Sequence, residues 1–290
     1  MTAILSPDWR GPAGWLLAAV LAMALSGVLL AGCSVVNPPA NPPPPSEAAT
    51  PGVTEFQALT GAVVERARRL DTMQADAVMG YEGGGHHLKI REEIAIKRPA
   101  SMRVEAFTPF GVGAVVAASG GHLAIYEPSQ NTFYRGASTA DTLSRFARIP
   151  LPPREAIKLL LGLLPDDEAD FSSPNSVRTE GNLVIGTYQL SGGIVDELGF
   201  TDGQLRMVRA GGKAGRPAYE VHYDDYRNIG GMQFAHSLAA NFLNTGTQLN
   251  VKYSGVIINP TLDDSQFVLV PQNNARQIDL DVPALTGGNG

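Results

Sequence analysis

Period-two alternation constrains this chain more than any other feature. Along residues 88–97, Leu88, Ile90, Glu92, Ile94 and Ile96 alternate with Lys89, Arg91, Glu93, Ala95 and Lys97. Successive side chains of a strand point to opposite faces, so the pattern predicts a strand with one buried face. Similar short segments recur at residues 102–107, 112–118, 122–126, 183–190, 194–200, 204–210, 218–223, 232–240 and 247–256. Pro99, Pro109-Phe110-Gly111 and Gly120-Gly121 separate the first of them and read as tight turns of an antiparallel meander. Two stretches follow a different period. Phe56, Leu59, Val63 and Ala67 recur at helical spacing among Glu65, Arg66, Arg68 and Arg69. Residues 153–164, PREAIKLLLGLL, carry a Pro and a Glu in the first turn of a helix. The expectation is an α+β fold: one large antiparallel sheet of about ten or eleven strands with two or three helices.

The amino end reads as an address. The apolar run 15–30 follows Arg10 and leads into Leu30-Ala31-Gly32-Cys33. A short apolar segment behind a basic residue and ending in small residues is a secretory signal, and it is short for a spanning anchor. Leu-Ala-Gly-Cys resembles the bacterial lipobox. That resemblance implies cleavage after residue 32 and acylation of Cys33 by diacylglyceryl and palmitate-type chains. With Ser34 next, it also implies a place on the periplasmic face of the outer membrane. Several chains anchor stably where one is marginal. Residues 35–51, VVNPPANPPPPSEAATP, are too rich in Pro to join a sheet and read as a spacer. The expected organisation is a signal over 1–32, lipidated Cys33 with its tether over 33–53, one domain over 54–272 and a flexible tail over 273–290.

Chemistry is conspicuous by what is missing. A net charge of −6 does not favour nucleic acid as a partner, because that requires clustered Lys and Arg. One Cys excludes an internal disulfide, and once acylated it offers no nucleophile. His86-His87 are adjacent, so a strand would point them apart, and a solvated loop is the simpler reading than a metal site. Asp166-Asp167, Asp224-Asp225 and Asp263-Asp264 sit near turns, where carboxylates cap or face solvent. Gly211-Gly212-Lys213-Ala214 fails as a phosphate loop, since Ala214 replaces the Ser or Thr. There is no Gly-x-Ser-x-Gly elbow. The chain is expected to be a binding protein, not an enzyme, with no cofactor and no metal.

Two stretches go beyond periodicity. One is Arg103-Val104-Glu105-Ala106-Phe107 running into Thr108-Pro109-Phe110-Gly111. The other is Ile149-Pro150-Leu151-Pro152 followed by Ile157-Lys158-Leu159-Leu160-Leu161-Gly162-Leu163-Leu164-Pro165. With Lys97-Arg98-Pro99 and Ile125-Tyr126-Glu127-Pro128, their order resembles the LolA/LolB family over residues 70–249, nearest its outer-membrane receptor branch, LolB. The resemblance implies an incomplete, curved antiparallel barrel with helices plugging the open side. It implies an apolar hollow for lipoprotein acyl chains, delivery of lipoproteins into the outer membrane, and a periplasmic LolA-like carrier as partner. By position it makes Phe110, between Pro109 and Gly111, the membrane-insertion residue.

Alkyl chains need a wall without fixed polar demands. Val104, Ala106, Val115, Ala117, Ile125, Leu183, Ile185, Val221 and Tyr223 are the candidates for it. Ile157, Leu160, Leu161 and Leu164 are candidates for a lid. Only 7% of the chain is aromatic, which is expected to leave the hollow unfilled. The same residues could instead form a packed core. The Pro-rich tether and the segment 257–271 depart from the receptor pattern. An envelope sensor or assembly partner of the same fold is the alternative, and a hydrolase of envelope polymers finds no constellation.

Overall fold

The computed structural model describes residues 52–165, 167–213 and 216–281; the signal, Cys33 and the Pro-rich tether lie outside the described residues. Helix α1 (Val53–Arg68) comes first. A first meander follows: β1 (Thr72–Gly83), β2 (His86–Lys97), β3 (Ser101–Thr108), β4 (Gly111–Ser119), β5 (His122–Glu127) and β6 (Thr132–Ala137). Helices α2 (Ala140–Ala147) and α3 (Pro153–Leu160) interrupt the strands. The second meander is β7 (Ser176–Glu180), β8 (Leu183–Leu190), β9 (Ile194–Thr201), β10 (Gln204–Lys213), β11 (Tyr219–Ile229), β12 (Met232–Phe242) and β13 (Thr247–Ile258). A final short strand, β14 (Arg276–Asp279), closes the list of elements.

All fourteen strands form one curved, unclosed sheet in the order β14-β6-β5-β4-β3-β2-β1-β13-β12-β11-β10-β9-β8-β7. The two meanders meet through one long-range pairing, β1 with β13. Every pairing is antiparallel except β14 with β6. The expected ten or eleven strands are thus too few. Strands β1, β6, β7 and β14 carry weak alternation: β1 puts alanines at buried positions, and the other three are only 6, 5 and 4 residues long. The domain also runs past residue 272. Residues 276–279, expected in a flexible tail, pair with β6, and Leu280 N–H donates to the Arg135 carbonyl at 2.7 Å.

Local chemistry sets the helix ends. Thr139 Oγ1 accepts from Thr142 N–H at 3.2 Å and caps α2. Helix α3 ends at Leu160, not at residue 164 as the apolar run suggested. Gly162 adopts φ +64°, and Leu163 N–H reaches back to the Lys158 carbonyl at 2.9 Å, a closure that requires the left-handed glycine. Leu161, Leu163 and Leu164 therefore belong to a buried loop that follows the helix.

Helices α1 and α3 lie on one face of the sheet, called inner below, and share its core. Phe56 of α1 seats edge-on to Phe200 at 5.3 Å and 86°. It fits because residue 186 is Gly; a Cβ there would stand 2.3 Å from the Phe56 ring. Three tyrosines hold α3. Tyr223 donates to the Leu159 carbonyl at 3.0 Å, Tyr253 to the Leu160 carbonyl at 3.1 Å, and Tyr219 to Glu155 Oε1 at 2.7 Å.

Candidate functional site: the inner wall and one end of the sheet

Strand register decides which side chains share a face. Ile94 pairs with Val104, Val104 with Val116, and Val116 with Ile125, so these four are inner residues. Val208 pairs with Val221, Val221 with Ala240, and Tyr223 with Leu238, again inner. Val104, Ala106, Ile125, Val221 and Tyr223 thus share one face.

The other four wall candidates do not. Val115 pairs with Glu105 and Ala117 with Arg103, on the outer face. Leu183 and Ile185 lie outside as well, because Ile185 pairs with Gly199 while its neighbours Val184 and Gly186 pair with the inner residues Phe200 and Leu198. The cause at β3–β4 is a register shift between Ala106 and Phe107, which resets the parity across the turn. Val115 and Ala117 are buried nonetheless. The carboxyl segment crosses the outer face there: Arg103 donates to the Gln266 carbonyl at 3.1 Å, and Phe267 is buried. Ala117, Phe133 and Phe267 line an outer groove of about 680 Å³.

The inner face has two characters. Over β8–β13 it is filled by aromatic rings: Tyr188, Phe200, Tyr219, Tyr223, Phe234, Phe242 and Tyr253 are all buried. The few aromatics are concentrated where a hollow was expected, and there they fill it. Ile157, Leu161 and Leu164 are buried and Leu160 half-buried. Between α1 and α3 a cavity of about 440 Å³ remains, lined by Val64, Ala67, Leu163 and Leu164 with Arg98, Arg154, Lys158 and Asp167. Over β1–β4 the inner wall is apolar but incompletely covered. Met79, Ile90, Val104, Ala106 and Val116 are half-buried, and Leu88 is 49% exposed.

Glu92 stands in this apolar wall. Its register partners are Ala77 on β1 and Ala106 on β3. It is 4% exposed, and burial pushes its carboxyl up to about 7. The same burial, with Glu92 adding to it, raises the Tyr253 hydroxyl. The sequence carried the signal, since Glu92 occupies an apolar position of the β2 alternation. The outer face also carries a network of charges. Arg178, Glu197, Arg209 and Glu220 form a chain across β7, β9, β10 and β11, with contacts of 2.7, 3.3 and 2.6 Å. Burial opposes ionisation of Glu197, but Arg178 and Arg209 outweigh it and hold the carboxyl below its ordinary value.

Phe110 is 99% exposed. Its turn is ordered from within: Phe110 N–H donates to Thr108 Oγ1 at 3.2 Å, and the Thr108 hydroxyl donates to the Gly111 carbonyl at 3.0 Å. Gly111 takes φ +115°, a conformation that excludes a side chain and leaves Phe110 projecting. Among the described residues no group of three or more His, Cys, Asp or Glu could hold a metal. His86 and His87 are exposed, and His87 Nδ1 lies 3.8 Å from Glu82. Asp263 accepts from Ser265 N–H at 2.8 Å as a turn cap, and Asp166 lies outside the described residues. No helix among the described residues is long and apolar enough to cross a membrane.

No family model matches the chain, and no curated protein matches it in sequence. Solved structures do match in shape. A LolA superfamily protein from Nitrosomonas europaea is 14% identical with a TM-score of 0.47, over 72% of this chain and 97% of that one. A DUF1329 family protein from Desulfovibrio piger is 12% identical with a TM-score of 0.53, over 74% of this chain and 97% of that one. The body of this chain therefore shares its unclosed antiparallel-sheet fold with the DUF1329 family protein.

Proposed function

We propose that this chain is a lipid-anchored envelope protein that holds acyl chains against its inner wall and passes lipoproteins into the outer membrane. In this reading it binds and does not catalyse. The observation that carries it is the half-buried apolar surface of Met79, Ile90, Val104, Ala106 and Val116, only partly covered on the face that elsewhere packs tightly. Uncovered apolar surface costs free energy in water and is offset when a hydrocarbon lies on it. The likeness of residues 70–249 to the LolA/LolB family supports the same use, with Cys33 as the anchor, α3 beside the acyl site and a LolA-like carrier as donor. The test is to extract the purified protein and look for bound acyl chains. Their absence, with no uptake of a fluorescent fatty acid, overturns the reading. Depletion in cells should leave lipoproteins stranded on their carrier.

The Phe110 turn gives a second test. Burial of a Phe side chain contributes roughly 1.5–3 kcal/mol. Phe110→Glu is therefore expected to slow lipoprotein insertion into liposomes by roughly tenfold or more, with no change in thermal stability because the site touches no core. Unchanged insertion shows that the turn does not contact the bilayer. The aromatic filling over β8–β13 favours a second reading, a sensor or assembly partner. That reading predicts no lipoprotein accumulation on depletion.

A further inference from the structure

The Phe110 turn has neighbours that share its end of the sheet. Strand β1 pairs antiparallel with both β2 and β13, and Glu82 faces His87 on one side and Gln248 on the other. The β1–β2 and β12–β13 tips therefore lie side by side. The β3–β4 tip joins them, because Phe107 pairs with Arg91 of β2 and with Val112 of β4. Each tip presents an apolar residue to solvent: Leu88 at 49%, Val112 at 36% and Leu243 at 48%, with Phe110 at 99%.

Cations occupy the same end. Lys89, Arg91 and Arg148 are exposed there, with the carboxylate of Glu82 beside His87 and that of Glu220 one strand beyond the β12–β13 tip. Arg91 lies over the Phe107 ring at 5.2 Å. Arg148 ties the end of α2 to the β12–β13 tip: it donates to the Thr245 carbonyl at 3.1 Å, and its own carbonyl accepts from Thr245 Oγ1 at 2.9 Å. A chain of net charge −6 thus places a basic, apolar-tipped rim at one end.

We infer that this rim docks on a bilayer surface that carries anionic phospholipid. Apolar side chains on separate tips are spaced to enter between headgroups, where a protein partner would require a continuous apolar patch. The cations beside them attract a negative surface, each strengthening attachment severalfold. The inference rests on the reading of Phe110 as a membrane contact and adds the headgroup class and the second and third tips.

The experiment uses the full chain with Trp9→Phe and Trp15→Phe, so that Phe110→Trp supplies the sole indole. The protein is reconstituted into vesicles of brominated phosphatidylcholine, with or without phosphatidylglycerol, and quenching of the indole is measured. Quenching is expected in both, stronger with phosphatidylglycerol and weakened by salt. Adding Lys89→Glu and Arg91→Glu is expected to lower the engaged-to-free ratio on anionic vesicles by on the order of tenfold or more. Both side chains are exposed, and an unchanged melting temperature confirms that the fold is kept. Equal quenching on the two vesicle types overturns the headgroup inference and leaves the Phe110 reading intact. No quenching on either overturns both. An anionic preference that survives the charge reversals overturns the assignment to this rim. A rim that binds poly-glutamate and ignores phosphatidylglycerol overturns it in favour of an acidic protein partner.

Discussion

Phe56→Ala is expected to lower stability by about 3–5 kcal/mol, the range for removing a buried aromatic ring. Phe56 is fully buried and joins α1 to the sheet through Phe200 and Tyr188, with ring centroids at 5.3 and 6.4 Å. The space it leaves cannot close easily, because Gly186 beneath it has no side chain to move in and the neighbouring strands are held by their ladders. Urea unfolding measures the effect as a fall in the midpoint with an unchanged slope. A loss below about 1 kcal/mol would mean that α1 is not seated on β8 and β9. Gly186→Ala should fail for the complementary reason, since the new methyl and the ring would claim one volume.

The second large effect depends on pH. Burial raises the Glu92 carboxyl from 4.5 to about 7, so the folded chain holds this proton more tightly than the unfolded chain does. The folded state is favoured in full below 4.5, and that advantage is lost as pH rises through about 7. Above it, the buried charge costs about 3 kcal/mol at 1.36 kcal/mol per pK unit. Glu92→Gln keeps the shape without the charge. The variant should match the parent at about pH 4.5 and exceed it by up to about 3 kcal/mol near pH 8. Urea midpoints at the two pH values measure this. Parallel pH profiles would mean that the carboxyl reaches water or a cation that compensates it.

How far the sequence could be read follows from where alternation carries information. Residues 88–97 alternate Ile with Lys, Arg or Glu, and β2 stands there as expected. Strand β1 puts Ala75 and Ala77 at buried positions, and alanine marks a face weakly, so β1 was missed. Alternation also fixes faces only within a strand. Carrying parity across a turn needs the turn's residue count and any bulge, neither visible in the alternation. That is why Val115 and Ala117 belong to the opposite face from Val104 and Ala106. The exposed Phe110 could be read, because Pro and Gly on either side define a projecting turn. The basic rim could not, since Leu88 and Lys89 meet Leu243 only through the pairing of β1 with β13, and Arg148 joins them only through its hydrogen bonds to Thr245.

That pairing also bears on how the chain is made. Strands β1–β6 join neighbours in sequence and can zip hairpin by hairpin as they emerge. The outer side of β1 has no such local mate. Met73 waits for Ile258, nearly the whole body away in sequence, and until β13 is synthesised β1 is a raw edge twelve residues long. An unmated edge of that length recruits foreign strands. Nascent chains cut short before β13 are therefore sticky intermediates, and a holding chaperone has its greatest value for this protein during that interval.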